Sequence, residues 1–401
     1  MPKFPLLCAM MFLQFFVWGS WYQTAGTFID AAKWPVSTIG WAYSAGPIAA
    51  LISPLFLGLI ADRYFASQRV LAAMHAVGAL IMLVGIPGAI KANDPTWFEW
   101  YLLAYMLCYM PTLGLSNTVA FSHVTNPEKQ FPIARVFGTL GWIAAVTFVS
   151  KFLQADTKPV MFLVAGYSSA AMALLSWILP NTPPPAAGKR TSLAETLGLG
   201  ALPLLKEPAF AVFLVCSFLV CIPLAGYYSF GNQFAKLVWS DNPGFYMTFG
   251  QWAEVLFMVI MPAFFARLGV KWMLALGMLA WVVRYGLFSA AAGSAPPVAW
   301  MVLGGILLHG ICYDFFFVTG QIYVDQKAGP QVRGQAQSLL VLVTQGLGMW
   351  IGAQAMTSVV TGNTKDNVID WGHVWLLPCL GALGILVLFV LLFRAPQRSA
   401  A

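Results

Sequence analysis

Charge is what this chain has least of. Lys and Arg number 21 and Asp and Glu 14, so 9% of its 401 residues are charged while 60% are hydrophobic. A soluble domain is nearer a quarter charged and half apolar. So few ionic groups cannot cover a 43.6 kDa chain with a water-facing surface. The net charge of +7 raises the question of nucleic acid, but there is no basic run to bind it. The excess reads as the positive-inside bias of a membrane protein, and no nucleic-acid partner is expected. Cysteine is also sparse. Cys8, Cys108, Cys216, Cys221, Cys312 and Cys379 lie in apolar stretches without CxxC spacing. That pattern indicates neither a zinc site nor a disulfide framework, and the six read as small buried hydrophobes. Nucleotide-binding loops, serine triads and clustered metal ligands are missing too. An enzyme is therefore not expected, and no cofactor or metal is implied.

What is present is apolar length and aromatic surface. There are 16 Trp and 30 Phe, rings that favour bilayer cores and interfaces. About 20 apolar residues cross the hydrocarbon as a helix. The hydropathy pattern predicts spans near 4–26, 37–60, 70–90, 100–121, 131–150 and 159–180, then 209–234, 244–266, 272–292, 298–323, 334–360 and 372–393. The N-terminal run superficially resembles a signal peptide, but it continues through Trp18-Gly19-Ser20-Trp21 without a small-residue cleavage site. It reads as an uncleaved first span. The expected fold is therefore an all-α polytopic membrane protein of twelve transmembrane helices. Residues 1–180 form one six-helix bundle, 181–208 a cytoplasmic linker and 209–401 a second bundle. The linker carries Pro183-Pro184-Pro185, Lys189-Arg190 and Glu195, which argue against a buried span. Its stretch 193–205 suits a short surface helix. With the N-terminus in the cytoplasm, thirteen Lys and Arg fall on the inner side and six (Lys33, Lys91, Lys151, Lys158, Lys236 and Lys365) on the outer. Both termini are thus expected inside.

Four Asp, Glu, Lys or Arg residues fall within spans: Arg135, Glu254, Arg284 and Asp314. Ionisable groups in hydrocarbon are costly and usually functional. Gln251 and Glu254, three apart, share a helix face. That pair suits hydrogen bonding to a polar solute, or Glu254 forms a structural ion pair with Arg284. His309 and Tyr313, four apart, stack along one face, with Asp314 turned about 100° from Tyr313. Burial penalises a carboxylate's charge. Asp314 is therefore a candidate for carrying a coupled proton or touching substrate, or else is the fixed partner of an arginine. Arg135, Thr139 and Trp142 make a polar and aromatic stripe at i, i+4, i+7, with Gly138 and Gly141 allowing a neighbouring helix to approach. Arg135 lines a cavity or snorkels to the inner surface. His75 reads as a satisfied core histidine. Gln14, Trp18 and Gln345 are candidate cavity linings, and Pro111 to Asn117 a kinkable stretch.

Two six-helix halves joined by a cytoplasmic linker is the plan of the major facilitator superfamily, whose halves rock about a midplane site. The loop Gly58-Leu-Ile-Ala-Asp62-Arg63-Tyr-Phe-Ala-Ser-Gln-Arg69 resembles that superfamily's cytoplasmic motif. Gly58, Asp62 and Arg63 are then a candidate conformational latch, the alternative being a solvated loop. More specific strings are Phe12-Leu-Gln-Phe-Phe-Val-Trp-Gly-Ser-Trp21, Tyr109-Met-Pro-Thr-Leu-Gly-Leu-Ser-Asn117, Arg135 to Trp142, Phe230-Gly-Asn232, Gln251 to Glu254 and Tyr313-Asp314-Phe315. On these, running almost end to end, the chain resembles the nucleoside:proton symporter family of that superfamily.

The resemblance implies proton-driven uptake of nucleosides or nucleoside-like solutes by alternating access. It also implies a multi-pass protein of the bacterial inner membrane, expected as a monomer, whose partners are a small-molecule substrate, protons and the lipid bilayer. Arg135, Thr139, Gln251, Glu254 and Asp314 match the family's binding pattern. Trp142 stands where another aromatic is familiar, and Tyr313 where a phenylalanine is. Three positions depart. Ala225 and Tyr228 replace a glutamine and an asparagine, and His309 a tyrosine. Two amides are thereby missing from one wall, and such differences in hydrogen bonding can dominate selectivity. The strings around Tyr228 and His309 look like a branch apart from the well-known nucleoside symporters. A nucleobase, a sugar or an exported metabolite is the alternative cargo, and a non-transporting sensor the remaining one. Glu254 and Asp314 are the candidates for proton coupling.

Overall fold

The computed structural model describes residues 3–56, 64–184, 198–329 and 332–394. Hydrocarbon offers no partner for a backbone N–H or C=O, so a chain in it must satisfy those groups within helices. The described chain does so almost throughout. Its helices are α1 (Lys3–Gly19), α2 (Ala25–Ala31), α3 (Val36–Phe56), α4 (Ser67–Lys91), α5 (Pro95–His123), α6 (Pro127–Thr147) and α7 (Val160–Ile178). After a 3₁₀ turn at Leu199–Lys206 come α8 (Pro208–Ala235), α9 (Pro243–Ala291), α10 (Ala299–Lys327), α11 (Arg333–Gly362) and α12 (Trp371–Leu392). Among the described residues, eight helical runs are long and apolar enough to cross a membrane.

Two departures from the expected pattern have local causes. The first expected segment is broken, because α1 gives way to turns between Gly19 and α2. The Tyr43 hydroxyl meets the break, donating to the Tyr22 carbonyl at 2.7 Å while accepting from the Gly26 N–H at 3.3 Å. The expected segments 244–266 and 272–292 are met, since the run Pro243–Ala291 is two helices that join at Gly269, where the backbone is not helical. That residue's φ of 65° is open to glycine and disfavoured for other residues. The all-α expectation is corrected in one small place. Thr364–Lys365 and Val368–Ile369 pair antiparallel across Asp366 and Asn367, both at positive φ, the geometry of a tight hairpin turn. Of the linker, Leu199–Lys206 is a 3₁₀ turn, while 185–197 lies outside the described residues. The proposed latch at Gly58, Asp62 and Arg63 also lies outside them.

Unlike a soluble domain, the molecule exposes many large apolar side chains, and several polar ones are buried in its mostly apolar core. Val84, Leu174, Val259 and Leu391 are each more than 60% exposed, whereas Gln14, Thr112, Ser169, Arg284, Asp314 and Thr319 are fully buried. Helix ends bond to one another in two groups. At one end Gln68 reaches Asn181 and Thr182, and His123 reaches Thr182. At the other, Trp34 donates to Asn93, and Asp156 and Ser150 receive the start of α9.

The chain forms two compact units, Met1–Leu193 with Tyr228–Thr248, and Ala194–Tyr227 with Phe249–Ala401. In the first, α1 and α6 touch backbone to backbone, as the glycine stripe predicts. A Cβ on Gly141 would meet the Phe12 carbonyl, one on Gly19 the Trp142 carbonyl, and one on Gly138 the Phe15 ring. Gly141→Leu should therefore lower stability by roughly 1–3 kcal/mol, read as a lower melting midpoint in detergent. Gly138→Ala should cost less, because a ring can turn aside and a backbone carbonyl cannot.

Candidate functional site

In the first unit, the close approach of α1 and α6 brings the expected α6 stripe onto a chain of rings. Arg135 lies 4.7 Å over the Phe15 ring, within the range of a cation–π contact. Phe15 leads to Trp18, and Trp18 packs edge-on against Trp142 with centroids 5.5 Å apart. Tyr22 joins Trp18, Trp142 and Tyr228 at 5.3, 6.1 and 5.9 Å. Three of the residues singled out in the sequence, Arg135, Trp142 and Tyr228, thus belong to one aromatic assembly, with Thr139 half-buried on the same stripe of α6. The indole N–H groups of Trp18 and Trp142 are buried with no hydrogen-bond partner among the described residues. Unsatisfied buried donors are costly, and a polar solute is one way to satisfy them.

Gln14 is not a cavity lining. It is fully buried, its amide donates to the Thr112 hydroxyl at 2.7 Å, and its carbonyl oxygen meets His75 Nε2 at 3.1 Å. The Tyr109 hydroxyl donates to the Gln14 backbone carbonyl at 2.6 Å. His75 is therefore a satisfied core histidine, and the cluster ties α1, α4 and α5 behind the aromatic assembly.

In the second unit, α9 and α10 meet through two glycines. A Cβ on Gly310 would strike the Ala253 carbonyl and the Glu254 nitrogen, and one on Gly250 would meet His309 Cβ and the Ile306 carbonyl. This contact sets Gln251 and Glu254 beside His309 and Asp314. Gln251 is buried with its Oε1 unpartnered, and Asp314 is fully buried with no hydrogen bond to either oxygen among the described residues. Glu254 is half-buried, and its charge acts on the Asp314 carboxyl. Asp314 sits in a π-helical turn, Tyr313–Val318, a distortion often found at functional sites. His309 stacks on Tyr227 at 5.2 Å and packs against Tyr313 at 5.8 Å.

Sequence reasoning passed over Tyr22 and Tyr227. Tyr227 is fully buried and lies between His309 and Arg284, whose guanidinium is 4.2 Å over its ring. The adjacent pair Tyr227-Tyr228 was the available signal, since successive helical residues point about 100° apart. Arg284 also donates its Nε–H to the Gly305 carbonyl at 3.0 Å. Ala225 has a packing role. Gly352 of α11 lies directly against its methyl group, so that seam has no room for a glutamine.

Gln14→Leu should strand His75 and Thr112. The expected cost is roughly 1–3 kcal/mol, seen as a lower melting midpoint, while the added stability on binding solute stays as in wild type. Loss of that increment would place Gln14 at the site.

A family model described as nucleoside H+ symporter matches residues 3–398. Over 98% of this chain and 94% of its own length, the Escherichia coli K12 protein YegT is 38% identical. The xanthosine permease of the same organism is 31% identical over 97% of this chain and 95% of its length. Among solved structures, the nucleoside transporter NupG superposes with a TM-score of 0.88 at 28% identity, covering 99% of this chain and 100% of that one. Peptide transporters share the fold at a TM-score of 0.70 and 13% identity. The chain belongs to the nucleoside:proton symporter family, a group of helical membrane transporters.

Proposed function

We propose that this chain imports a nucleoside or nucleoside-like solute together with protons, by alternating access across the bacterial inner membrane. The observation that carries this reading is the carboxyl pair of the second unit. Asp314 is fully buried with no hydrogen-bond donor among the described residues, and Glu254 stands within electrostatic reach. Two carboxyls so placed resist being charged together, and a carboxylate removed from water is costly without a partner. Such a pair suits the binding and release of a proton. Family membership supplies the matching solute class.

In this reading the protein is a monomer of twelve spans in two six-helix halves with both termini in the cytoplasm, supported by the hydropathy pattern and the thirteen-to-six division of loop charge. Trp142, with Trp18, Tyr22 and Tyr228 around it, offers a face for a base. Arg135 and Thr139 offer polar contacts from α6. Gln251, Glu254, His309 and Tyr313 supply hydrogen bonds and a second aromatic face. Gly58, Asp62 and Arg63 latch the cytoplasmic side.

A second cargo is favoured by one specific observation. Position 225 is methyl against Gly352 and position 228 is a ring against Tyr22. With Ala225 taken up in that seam, a wall holding Tyr228 where an amide is familiar presents more aromatic surface. A nucleobase or a modified nucleoside fits such a wall. A thermal-shift panel of nucleosides, bases and sugars separates the possibilities, since a ligand that prefers the native state raises apparent stability. Nucleosides are expected to stabilise most, and stabilisation by sugars alone would remove the assignment.

Glu254→Gln and Asp314→Asn should each abolish accumulation driven by an inward proton gradient in proteoliposomes. At least one should keep solute counterflow, which requires no net proton movement. Wild-type accumulation in both variants would sink the proton role of the pair.

A further inference from the structure

Among the described residues, one more carboxyl is buried outside the helices that cross the membrane. Asp156 lies in the loop between α6 and α7 and is 3% exposed. Its Oδ2 accepts from the Ser150 hydroxyl at 2.9 Å and from the backbone N–H of Gly244 at 2.8 Å. The Ser150 hydroxyl oxygen in turn accepts the N–H of Phe245 at 2.9 Å. Gly244 and Phe245 are in the first turn of α9, where the dipole favours negative charge; the Phe245 N–H also donates to the Asn242 carbonyl at 3.2 Å. A Cβ on Gly244 would press on Thr24 and Ser150, so the fit leaves little room. A further bond, from the Asn232 amide to the Thr27 hydroxyl at 2.8 Å, fastens the end of α8 to α2. Residues 228–248 therefore pack within the first unit, although they continue the helices of the second half of the sequence.

We propose that Asp156 is a second proton-binding group of the transporter, one that takes up a proton from the outside as the ends of α8 and α9 close over it. The inference rests on the alternating-access reading above and on the loop-charge topology, which puts this end of the bundle outside. Closing moves the carboxyl from water into a dry pocket, where Oδ1 has no hydrogen-bond partner among the described residues. Opening returns it to water.

The direction of coupling follows from the charges around the group. Burial is the largest influence on Asp156 and pushes its pKa up to about 6. The Gly244 N–H, the Ser150 hydroxyl and the charge of Lys236 act the other way. Lys151 lies 5.3 Å from the Phe245 ring. Lys158 follows in the same loop and Asp241 precedes α9. An open, hydrated aspartate titrates near the ordinary value of about 3.9. The closed form thus holds its proton more tightly than the open one. Acid between roughly pH 4 and 6 favours closure, and above that range closure bears the full cost of burying the charge. In a symporter this favours outer closure on the side where protons are plentiful.

Lys158 and Ser240 are exposed on the two facing loops and suit genetically encoded spin-label handles. Pulsed EPR distances between them, in nanodiscs without solute or gradient, read the closure directly. Wild type should shift toward the short distance as pH falls from 8 to 4.5. Asp156→Asn, a permanent mimic of the protonated carboxyl, should hold the short distance at every pH. Lys236→Gln should move the wild-type midpoint upward, because it removes the cation that favours the carboxylate. That variant decides the matter if Asp156→Asn does not fold. A pH-independent wild type, a titration that survives in Asp156→Asn, or a Lys236→Gln midpoint that stays or falls would each overturn the proposal. None of these readings depends on nucleoside or on Glu254 and Asp314, so the failure of either proposal is seen separately.

Discussion

A bilayer interior supplies no hydrogen bonds, and the rest of this structure follows from that lack. Backbone groups must be paired within helices, so the chain is helical and its helices are long. Helices surrounded by lipid gain little from burying more apolar surface. They are held by close contact and by polar groups with nowhere else to go. Both devices are visible here. Gly141 and Gly19 let α1 and α6 touch through their backbones, and Gly250 and Gly310 do the same for α9 and α10. Gln14, His75 and Thr112 satisfy one another in a place where none could find water.

The same contacts that hold the helices together also build the candidate site. If α1 stood further from α6, Trp18 and Trp142 would not meet, and Arg135 would not lie over Phe15. If Gly310 carried a side chain, α10 would be lifted from α9, separating Asp314 from Glu254. Stability and the proposed function therefore draw on the same glycines. Ala225 belongs to this logic as well. A residue that looks, on the sequence, like a lost polar contact is in the structure the price of packing α8 on α11.

Polar groups without partners mark where the structure departs from satisfaction. The unpartnered atoms of Trp18, Trp142, Gln251 and Asp314 belong to residues already singled out on other grounds. A family that moves a polar solute with protons needs groups of this kind. A site that satisfied itself completely would have nothing left to offer a passing substrate. Asp156 differs in being bonded on one oxygen only, at a helix start, in a loop. It is tied to a segment that belongs by sequence to the other half of the protein.

The membrane class was legible from composition, because 9% charge cannot clothe a soluble surface. Positions of the long helices were legible from hydropathy, because hydrocarbon thickness sets a length of chain. Arg135, Glu254 and Asp314 were legible for the same reason, since a charge within an apolar run stands out. Spacing could not report what depends on contacts between distant parts of the chain. It could not show that Gln14 meets His75 rather than a cavity, that Tyr227 lies between His309 and Arg284, or that the loop carrying Asp156 closes on the first turn of α9. One-dimensional periodicity records which face of a helix a residue occupies. Only tertiary packing decides what that face meets, because the partner lies tens or hundreds of residues away in the sequence.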